Sequence, residues 1–155
     1  MRKFVLSLMA VLGFAGTSAF AQTSLSEAVA AGNKVFVQIV NDNEYPIPAD
    51  EVADVIREFS NAGQWTAVET AEEADFILRV ETRKKVVFNS PRTWMTPSVL
   101  DKESNVLWKG EKIKADATMF NGYKATNTCI RKVIENSFYK DLFKKAGRSV
   151  PVTIK

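Results

Sequence analysis

Residues 98–110 read SVLDKESNVLWKG, and the prediction of the fold rests on this segment. Two apolar runs, one ending at Leu100 and one beginning at Val106, flank the polar residues 101–105. Apolar runs rich in β-branched and aromatic residues that are joined by a short polar segment predict an antiparallel hairpin, here with a five-residue connection. The second arm is predicted to run as far as Ala115.

The residues before the hairpin contain further strand patterns. Residues 34–40 (KVFVQIV) form a β-branched and aromatic run, and residues 65–68 form a shorter one. Residues 75–88 are predicted to be mostly strand, because Phe76, Leu78 and Val80 alternate. Residues 89–97 contain two prolines around Trp94, which predicts a loop or an irregular edge.

Two segments show helical periodicity instead. The first begins near Asp50 and stops at Gly63, and the second runs from Ala125 to Ala146. We expect their apolar stripes to share one core, formed by Val52, Val55, Ile56 and Phe59 of the first helix with Ile130, Val133, Ile134 and Leu142 of the second.

These patterns predict a single α/β (α+β) domain over residues 34–155, with the order β-α-β-β-β-β-α. Helices with one apolar stripe and strands in antiparallel runs favour a two-layer sandwich. Its sheet is expected to be mixed and mostly antiparallel, with both helices on one face. Residues 22–33 are expected to be a short polar and alanine-rich lead-in.

The first 21 residues, MRKFVLSLMAVLGFAGTSAFA, predict a secretory signal peptide. A basic start at Arg2 and Lys3 precedes a short apolar run, and Ala19-Phe20-Ala21 is a small-x-small cleavage pattern. We expect cleavage before Gln22 and a periplasmic or secreted protein. No later run has the length of a transmembrane segment, and no cysteine at the cleavage site indicates a lipid anchor.

Charge is distributed unevenly along the chain. Residues 22–82 contain 12 Asp and Glu against 3 Lys and Arg, whereas residues 83–155 contain 16 Lys and Arg against 6 Asp and Glu. The two halves either neutralise each other across the fold or leave a basic face for an anionic partner. No nucleic-acid-binding motif accompanies the basic half, so nucleic acid is not expected as a partner.

The hairpin and the strand before it resemble one group of bacterial envelope domains. Leu100-Asp101 with Val106-Leu107-Trp108, preceded by Ala74-Asp75-Phe76-Ile77-Leu78, is similar to periplasmic domains of the curli-secretion-channel and TolB amino-terminal type. That group includes the lipoprotein activators of penicillin-binding proteins. Two features depart from its pattern: the lipid-anchor cysteine is missing, and Ser104-Asn105 replaces Thr-Gly at the turn. The resemblance implies a non-catalytic protein that contacts another envelope component.

The residue types present exclude several catalytic classes. The chain has no histidine, which excludes Ser-His and Cys-His nucleophile pairs and the common zinc sites. Cys129 is its single cysteine and is expected to be a small buried side chain. Ser137 and Lys140 form an S-x-x-K motif, which is a pattern of serine nucleophiles, but they lie deep inside a predicted helix and not at its start. Asp42-Asn43-Glu44 lacks calcium-loop spacing. We therefore expect no cofactor, no metal and no enzymatic activity.

Two groups of residues remain as candidates for partner binding, because packing does not account for them. One is the aromatic and methionine group in the proline-bracketed segment, and the other is the basic cluster beside it. A loop that folds back over the core and a solvated strand end are the alternative interpretations. The candidates are Phe88, Trp94 and Met95 with Arg83, Lys84, Lys85 and Arg92.

The leading functional prediction is an exported, non-enzymatic envelope protein that binds or assembles with another envelope protein or an anionic component. The alternative is a small hydrolase of envelope polysaccharide that acts through paired carboxylates, of which the sequence offers Asp50/Glu51 and Glu72/Glu73. Such a hydrolase needs two acids facing each other across a cleft, roughly 5–10 Å apart.

Overall fold

The computed structural model describes residues 23–42, 44–62, 65–122 and 124–149. The predicted signal peptide and its cleavage site, the predicted stop at Gly63 and the tail from residue 150 lie outside the described residues. The described elements are α1 (Leu25–Ala28), β1 (Lys34–Asn41), α2 (Ala49–Ala62), β2 (Thr66–Val68), β3 (Phe76–Val87), β4 (Ser90–Leu100), β5 (Val106–Lys109), β6 (Ile113–Asp116), a 3₁₀ turn (Met119–Asn121) and a C-terminal helix whose first part is α3 (Ala125–Lys132).

The described strands form one sheet with the order β2-β1-β3-β4-β5, and β6 pairs with the other half of β4. β1 runs parallel to both β2 and β3, whereas β3, β5 and β6 are antiparallel to their neighbour β4. The sheet is therefore mixed and mostly antiparallel, and the predicted two-layer α/β fold is confirmed.

The predicted hairpin at residues 98–110 is confirmed, and Asp101 organises its loop. The Asp101 carboxylate accepts hydrogen bonds from the Asn105 backbone N–H at 2.8 Å and from the Asn105 side-chain amide at 2.9 Å. Ser104 closes the turn with a left-handed φ of 68°. Because the carboxylate is bonded from both sides, Asp101 is buried at this turn without an unpaired oxygen.

The second arm of the hairpin is not continuous, as it had been predicted to be. It breaks at residues 110–112 into β5 and β6, both of which pair with β4. Gly110 lies at the break, where a Cβ atom would come within 2.8 Å of the Trp108 ring and 2.9 Å of Pro97. Only glycine allows the chain to pass this close to the indole, so the break is built into the sequence.

Residues 89–97 were predicted to be a loop or an irregular edge, and the structure corrects this. They form most of β4, in the interior of the sheet. In an antiparallel strand the N–H and C=O of one residue point to the same side. Pro97 accepts a bond from Gly110 N–H, in the break, and Pro91 accepts one from Ala117 N–H, just past β6. The side of each proline that lacks an N–H donor therefore faces a place where the neighbouring strand is interrupted.

Both long helices pack on one face of the sheet, as predicted. Phe59 of α2 stacks on Phe138 of the C-terminal helix, with ring centroids 5.0 Å apart, and both side chains are buried against the strands. Of the eight predicted core residues, Val55 is the exception, since it is 39% exposed and lines an open groove between α2 and α3 beside Ile130. The buried apolar stripe of α2 is thus one residue narrower than the spacing of apolar residues in the sequence predicts.

The C-terminal helix is regular only at its ends. Its middle, Val133–Leu142, is a π-helical segment between α3 and a last α-helical turn at Phe143–Lys145. A π-helix has a wider turn than an α-helix. Ser137 and Phe138 and, five residues later, Leu142 and Phe143 therefore face the core in pairs.

The lead-in carries structure that composition did not predict. Ser24 and Glu27 form a reciprocal capping box at the start of α1. The carbonyl of Val29 then accepts bonds from the Trp65 indole at 2.9 Å and from Arg148 at 2.6 Å. These bonds hold the lead-in against the end of the C-terminal helix.

Candidate binding surface on the open sheet face

Alternation along the strands gives the sheet two faces of different character. One face packs against the helices through residues such as Leu78, Val80 and Met95. The opposite face, here called the open face, carries the residues between them in register. Near the hairpin loop this face is closed by its own side chains, because Ile77 and Leu100 are buried. Further along β3 and β4 it is accessible.

Trp94 is the large aromatic residue at the accessible part of the open face. Its indole is partly exposed, and two cations lie over it: Arg92 Cζ at 5.9 Å and Lys112 Nζ at 5.8 Å from the ring centroid. Arg92 also forms an ion pair with Asp116 of β6. The hydrogen bond from Arg92 lowers the pKa of the Asp116 carboxyl below its ordinary value. The ion pair with Asp116 therefore holds the Arg92 guanidinium beside the indole.

An open depression of about 300 Å³ lies beside Trp94. Arg83 pairs with Trp94 across the strands and extends to Asp42, with Nε and Oδ2 3.2 Å apart. Groups of both charge signs therefore meet a partly exposed aromatic ring here. The depression is lined by Val40, Asn41, Asp42, Glu81, Thr82, Arg83, Trp94, Thr96 and Lys112.

The structure divides the seven predicted contact residues into three places. Arg83, Lys85, Arg92 and Trp94 lie on the open face, because their registers share one parity. Lys84 and Met95 lie on the opposite face of the sheet from these four residues. Met95 is buried in the core at 1% exposure, so it is not accessible to a partner. Phe88 lies at the tip of the β3–β4 hairpin and is 100% exposed.

Several surface residues were not identified from the sequence. Lys112 completes the cation pair over Trp94. Met119 and Phe120 are 75% and 99% exposed in the 3₁₀ turn. The signal for them was present: an apolar pair directly before the Asn121-Gly122 turn has no strand or helix to bury it.

The remaining candidate chemistry has structural explanations. The thiol of Cys129 is buried beneath the carbonyls of Thr93 and Ile113, and burial raises its pKa to about 12, so it is held as the unreactive thiol. In the S-x-x-K pair, Ser137 is buried, and Lys140 donates to Asn136 at 2.7 Å. The structure, over its described residues, holds no cluster of three potential metal ligands.

Both carboxylate pairs proposed for the alternative hydrolase are solvent-exposed. Asp50 and Glu51 lie in the first turn of α2, where they complement the positive end of the helix, and Glu72 and Glu73 lie in the turn before β3. None of these four residues lines the depression beside Trp94.

No protein-family model matches the chain, and no curated protein matches it in sequence. Its fold is similar to that of PelC from Paraburkholderia phytofirmans, solved as a dodecamer, with 22% identity, a TM-score of 0.51, and 68% of this chain covering 88% of that one. Other similar structures are the LpoB C-terminal domain from Salmonella enterica (15% identity, TM-score 0.40, 62% of this chain and 96% of that one) and lipoprotein GNA1162 from Neisseria meningitidis (12%, 0.40, 67% and 99%).

These likenesses show the fold alone, because all of the identities are low. Across the described ranges of the chain, none of the helices has the length and apolar character needed to cross a bilayer.

Proposed function

We propose that this protein is exported through a signal peptide cleaved before Gln22, and that it is a non-enzymatic envelope protein whose open face binds another envelope protein. The observation that carries the proposal is the placement of Trp94. It lies partly exposed between Arg92 and Lys112, beside a depression, on the sheet face that both helices leave uncovered.

Trp94 has the properties of an interface anchor. Tryptophan and arginine are enriched among the residues that contribute most to protein–protein binding. Tryptophan in addition buries a large area at a small loss of side-chain entropy. The cations above the ring reduce that entropy loss further, since they restrict the indole before a partner arrives. A rigid aromatic group at the centre of a polar rim matches the usual anatomy of a protein interface.

The mixture of charges favours a protein as the partner over a polyanion. Asp42 and Glu81 line the same depression as Arg83 and Lys112. A uniformly anionic polymer would meet two carboxylates there, whereas a protein surface offers both signs of charge in a fixed pattern. The ion pair between Arg83 and Asp42 is half exposed and can exchange partners at little cost.

Assembly with copies of itself is the second candidate for the open face. It is supported by the similarity in fold to PelC, which was solved as a dodecamer. Light scattering on the purified protein distinguishes the two candidates. A defined oligomer that dissociates on Trp94→Ala supports self-assembly, whereas a monomer leaves the open face available for a different protein.

The alternative of a carboxylate hydrolase has its own test at the same place. Asp42 and Glu81 are the acids of the depression. Activity of the purified protein on envelope polysaccharide that is lost on Glu81→Gln and Asp42→Asn would overturn the non-enzymatic part of the proposal.

Affinity capture from the envelope fraction tests the proposal as a whole. The tagged protein should retain one defined partner, and Trp94→Ala should lose it while keeping its denaturation midpoint, because the indole is not in the core. The matched control is Val106→Ala, which also removes an exposed apolar side chain, 56% accessible, but from β5. If Trp94→Ala retained the partner at the strength of the parent protein, the open face would not be the binding surface.

A further inference from the structure

A second surface lies at the end of the molecule where the β3–β4 hairpin turns. Phe88 is 100% exposed at the tip, and Phe120 is 99% exposed in the 3₁₀ turn. The two segments are adjacent, because Ala117 N–H donates to Pro91 O and Ser90 Oγ donates to Ala117 O, each at 2.8 Å. We call this part of the molecule, residues 84–92, 114–122 and 124–132, the hairpin end.

The backbone at the tip is strained in a way that packing does not explain. Phe88 has φ of 49° and Asn89 has φ of 61°, which are the two positive angles of a type I′ turn. Asparagine and glycine adopt this conformation easily, whereas a bulky side chain does so at a cost. No buried contact of Phe88 compensates for that cost, since its side chain is fully exposed. A residue that costs stability and contributes no packing indicates a function at the tip.

Phe120 is held in an ordered turn. Asn121 fixes the turn from inside, because its side chain accepts a bond from Thr118 N–H at 2.9 Å and donates one to Asp116 O at 2.8 Å. The ring of Phe120 is thus presented to solvent by a bonded segment.

The hairpin end is also strongly basic. Residues 84–92, 114–122 and 124–132 together contain seven Lys and Arg against one Asp, and that Asp116 is already paired with Arg92. Phe120 borders a groove of about 490 Å³ that is lined by Lys124, Arg131 and Lys132 among others, with Glu135 as its one acid. We call these seven basic residues the cationic collar. Phe120 borders it directly, and Phe88 lies at the tip of the hairpin that carries three of its members, Lys84, Lys85 and Arg92.

We propose that the hairpin end docks on the surface of an anionic phospholipid bilayer. Phe88 and Phe120 would insert into the interfacial region, and the surrounding lysines and arginines would contact the headgroup phosphates. Apolar rings alone favour any membrane, whereas the cationic collar adds attraction to an anionic one, at about 1 kcal/mol per basic residue near the surface. Charge complementarity therefore selects anionic lipid as the occupant.

The aromatic groups of this surface are separate from Trp94, although Lys85 and Arg92 border both surfaces. Phe88 lies five residues beyond Arg83, the cross-strand partner of Trp94, which places the two aromatic groups roughly 17 Å apart along the hairpin. Lipid docking and partner binding can thus fail independently.

Sedimentation with lipid vesicles tests the proposal, with protein purified from the envelope fraction so that every variant carries the same N-terminus. We expect binding to vesicles of phosphatidylcholine and phosphatidylglycerol in equal parts, little binding to phosphatidylcholine alone, and weakening with added salt. Phe88→Asn with Phe120→Ser should lower the partition coefficient roughly tenfold or more. Phe88→Asn should keep or raise the denaturation midpoint, since asparagine suits the turn, so lost binding would not reflect unfolding.

Two matched controls accompany these variants. Val106→Ser removes an exposed apolar side chain from β5, beside the end of β4 that lies away from the hairpin end. This variant should bind vesicles as the parent protein does. Lys124→Glu with Arg131→Glu should weaken binding, whereas Lys109→Glu with Lys144→Glu, a reversal of equal charge elsewhere, should weaken it less. Equal binding by the phenylalanine variants and the parent protein, or no binding of the parent to anionic vesicles, would overturn the proposal.

Discussion

At Gly110, the absence of a side chain is what lets the second arm of the hairpin cross the Trp108 indole. We predict that Gly110→Ala lowers the free energy of unfolding by about 1–3 kcal/mol, because the new methyl group meets a buried ring that Asp141 holds by a 2.8 Å hydrogen bond. Urea denaturation measures it.

A double-mutant cycle tests the cause. The contacting atoms, Cη2 and Cζ2, belong to the six-membered ring of the indole. In a Trp108→Phe background they are absent, and Gly110→Ala should cost less. An equal cost in both backgrounds would mean that contact with the indole is not the reason for the glycine.

A second residue, Asp75, links the stability of the sheet to pH. The backbone N–H of Lys34 donates to its carboxylate at 2.9 Å, and this bond, aided by Lys102 at 3.3 Å, holds the pKa of Asp75 below its ordinary value. As the pH falls, the unfolded carboxyl takes up its proton first, near pH ~4. The stabilisation is therefore fully present above that pH and is lost as the pH falls further. Asp75→Asn should flatten the decrease in urea midpoint from pH ~5 to pH ~2. Parallel decreases for the parent and Asp75→Asn would contradict this.

At the scale of elements, the contact between α2 and the C-terminal helix makes a direct prediction. Phe59 is 6% exposed and is surrounded by the rings of Trp65, Phe138, Tyr139 and Phe143. Phe59→Ala should cost about 3–5 kcal/mol of unfolding free energy through lost burial and the cavity left behind. Val55→Ala, at a position of the same helix that is 39% exposed, should cost much less. Similar denaturation midpoints for the two variants would mean that α2 packs through a different face.

The elements that could be predicted are those that depend on local periodicity. The β-branched and aromatic run of β1, the alternation in β3, the apolar stripe of α2 and the polar loop at residues 101–105 each carry their own signal. The break between β5 and β6 could not be predicted in the same way, because it depends on a contact between Gly110 and Pro97 across two strands. The π-helical segment could not be predicted either, because apolar residues that occur in adjacent pairs are also compatible with an α-helix.

The candidate site was only partly predictable, for a related reason. Arg83, Arg92 and Trp94 were identified as contact residues and do share the open face. Met95 was grouped with Trp94 because the prolines indicated a loop. In a strand, adjacent side chains point to opposite faces, so the assignment to β4 separates the two residues. The position of Lys112 over Trp94 depends on how β6, which begins at the next residue, pairs with β4. No pattern in the sequence indicates that pairing.

At the scale of the whole molecule, the uneven charge is partly resolved by folding. Arg83 with Asp42, and Lys102 with Asp75, are ion pairs that join the basic half of the sequence to the acidic half. The hairpin end keeps its excess of positive charge because it is built from the basic half alone. The molecule therefore has one covered sheet face, one open face centred on Trp94, and a basic, aromatic end.

Site-specific photo-crosslinking in living cells tests the central claim, that the open face binds an envelope protein. A photoreactive amino acid would replace Thr96, which lines the depression, or Asn136, which is exposed on the C-terminal helix. We predict one adduct of defined mass from position 96, none of that mass from position 136, and loss of the adduct when Trp94→Ala is added. An adduct from position 136 with none from position 96, or an adduct that persists with Trp94→Ala, would contradict the account.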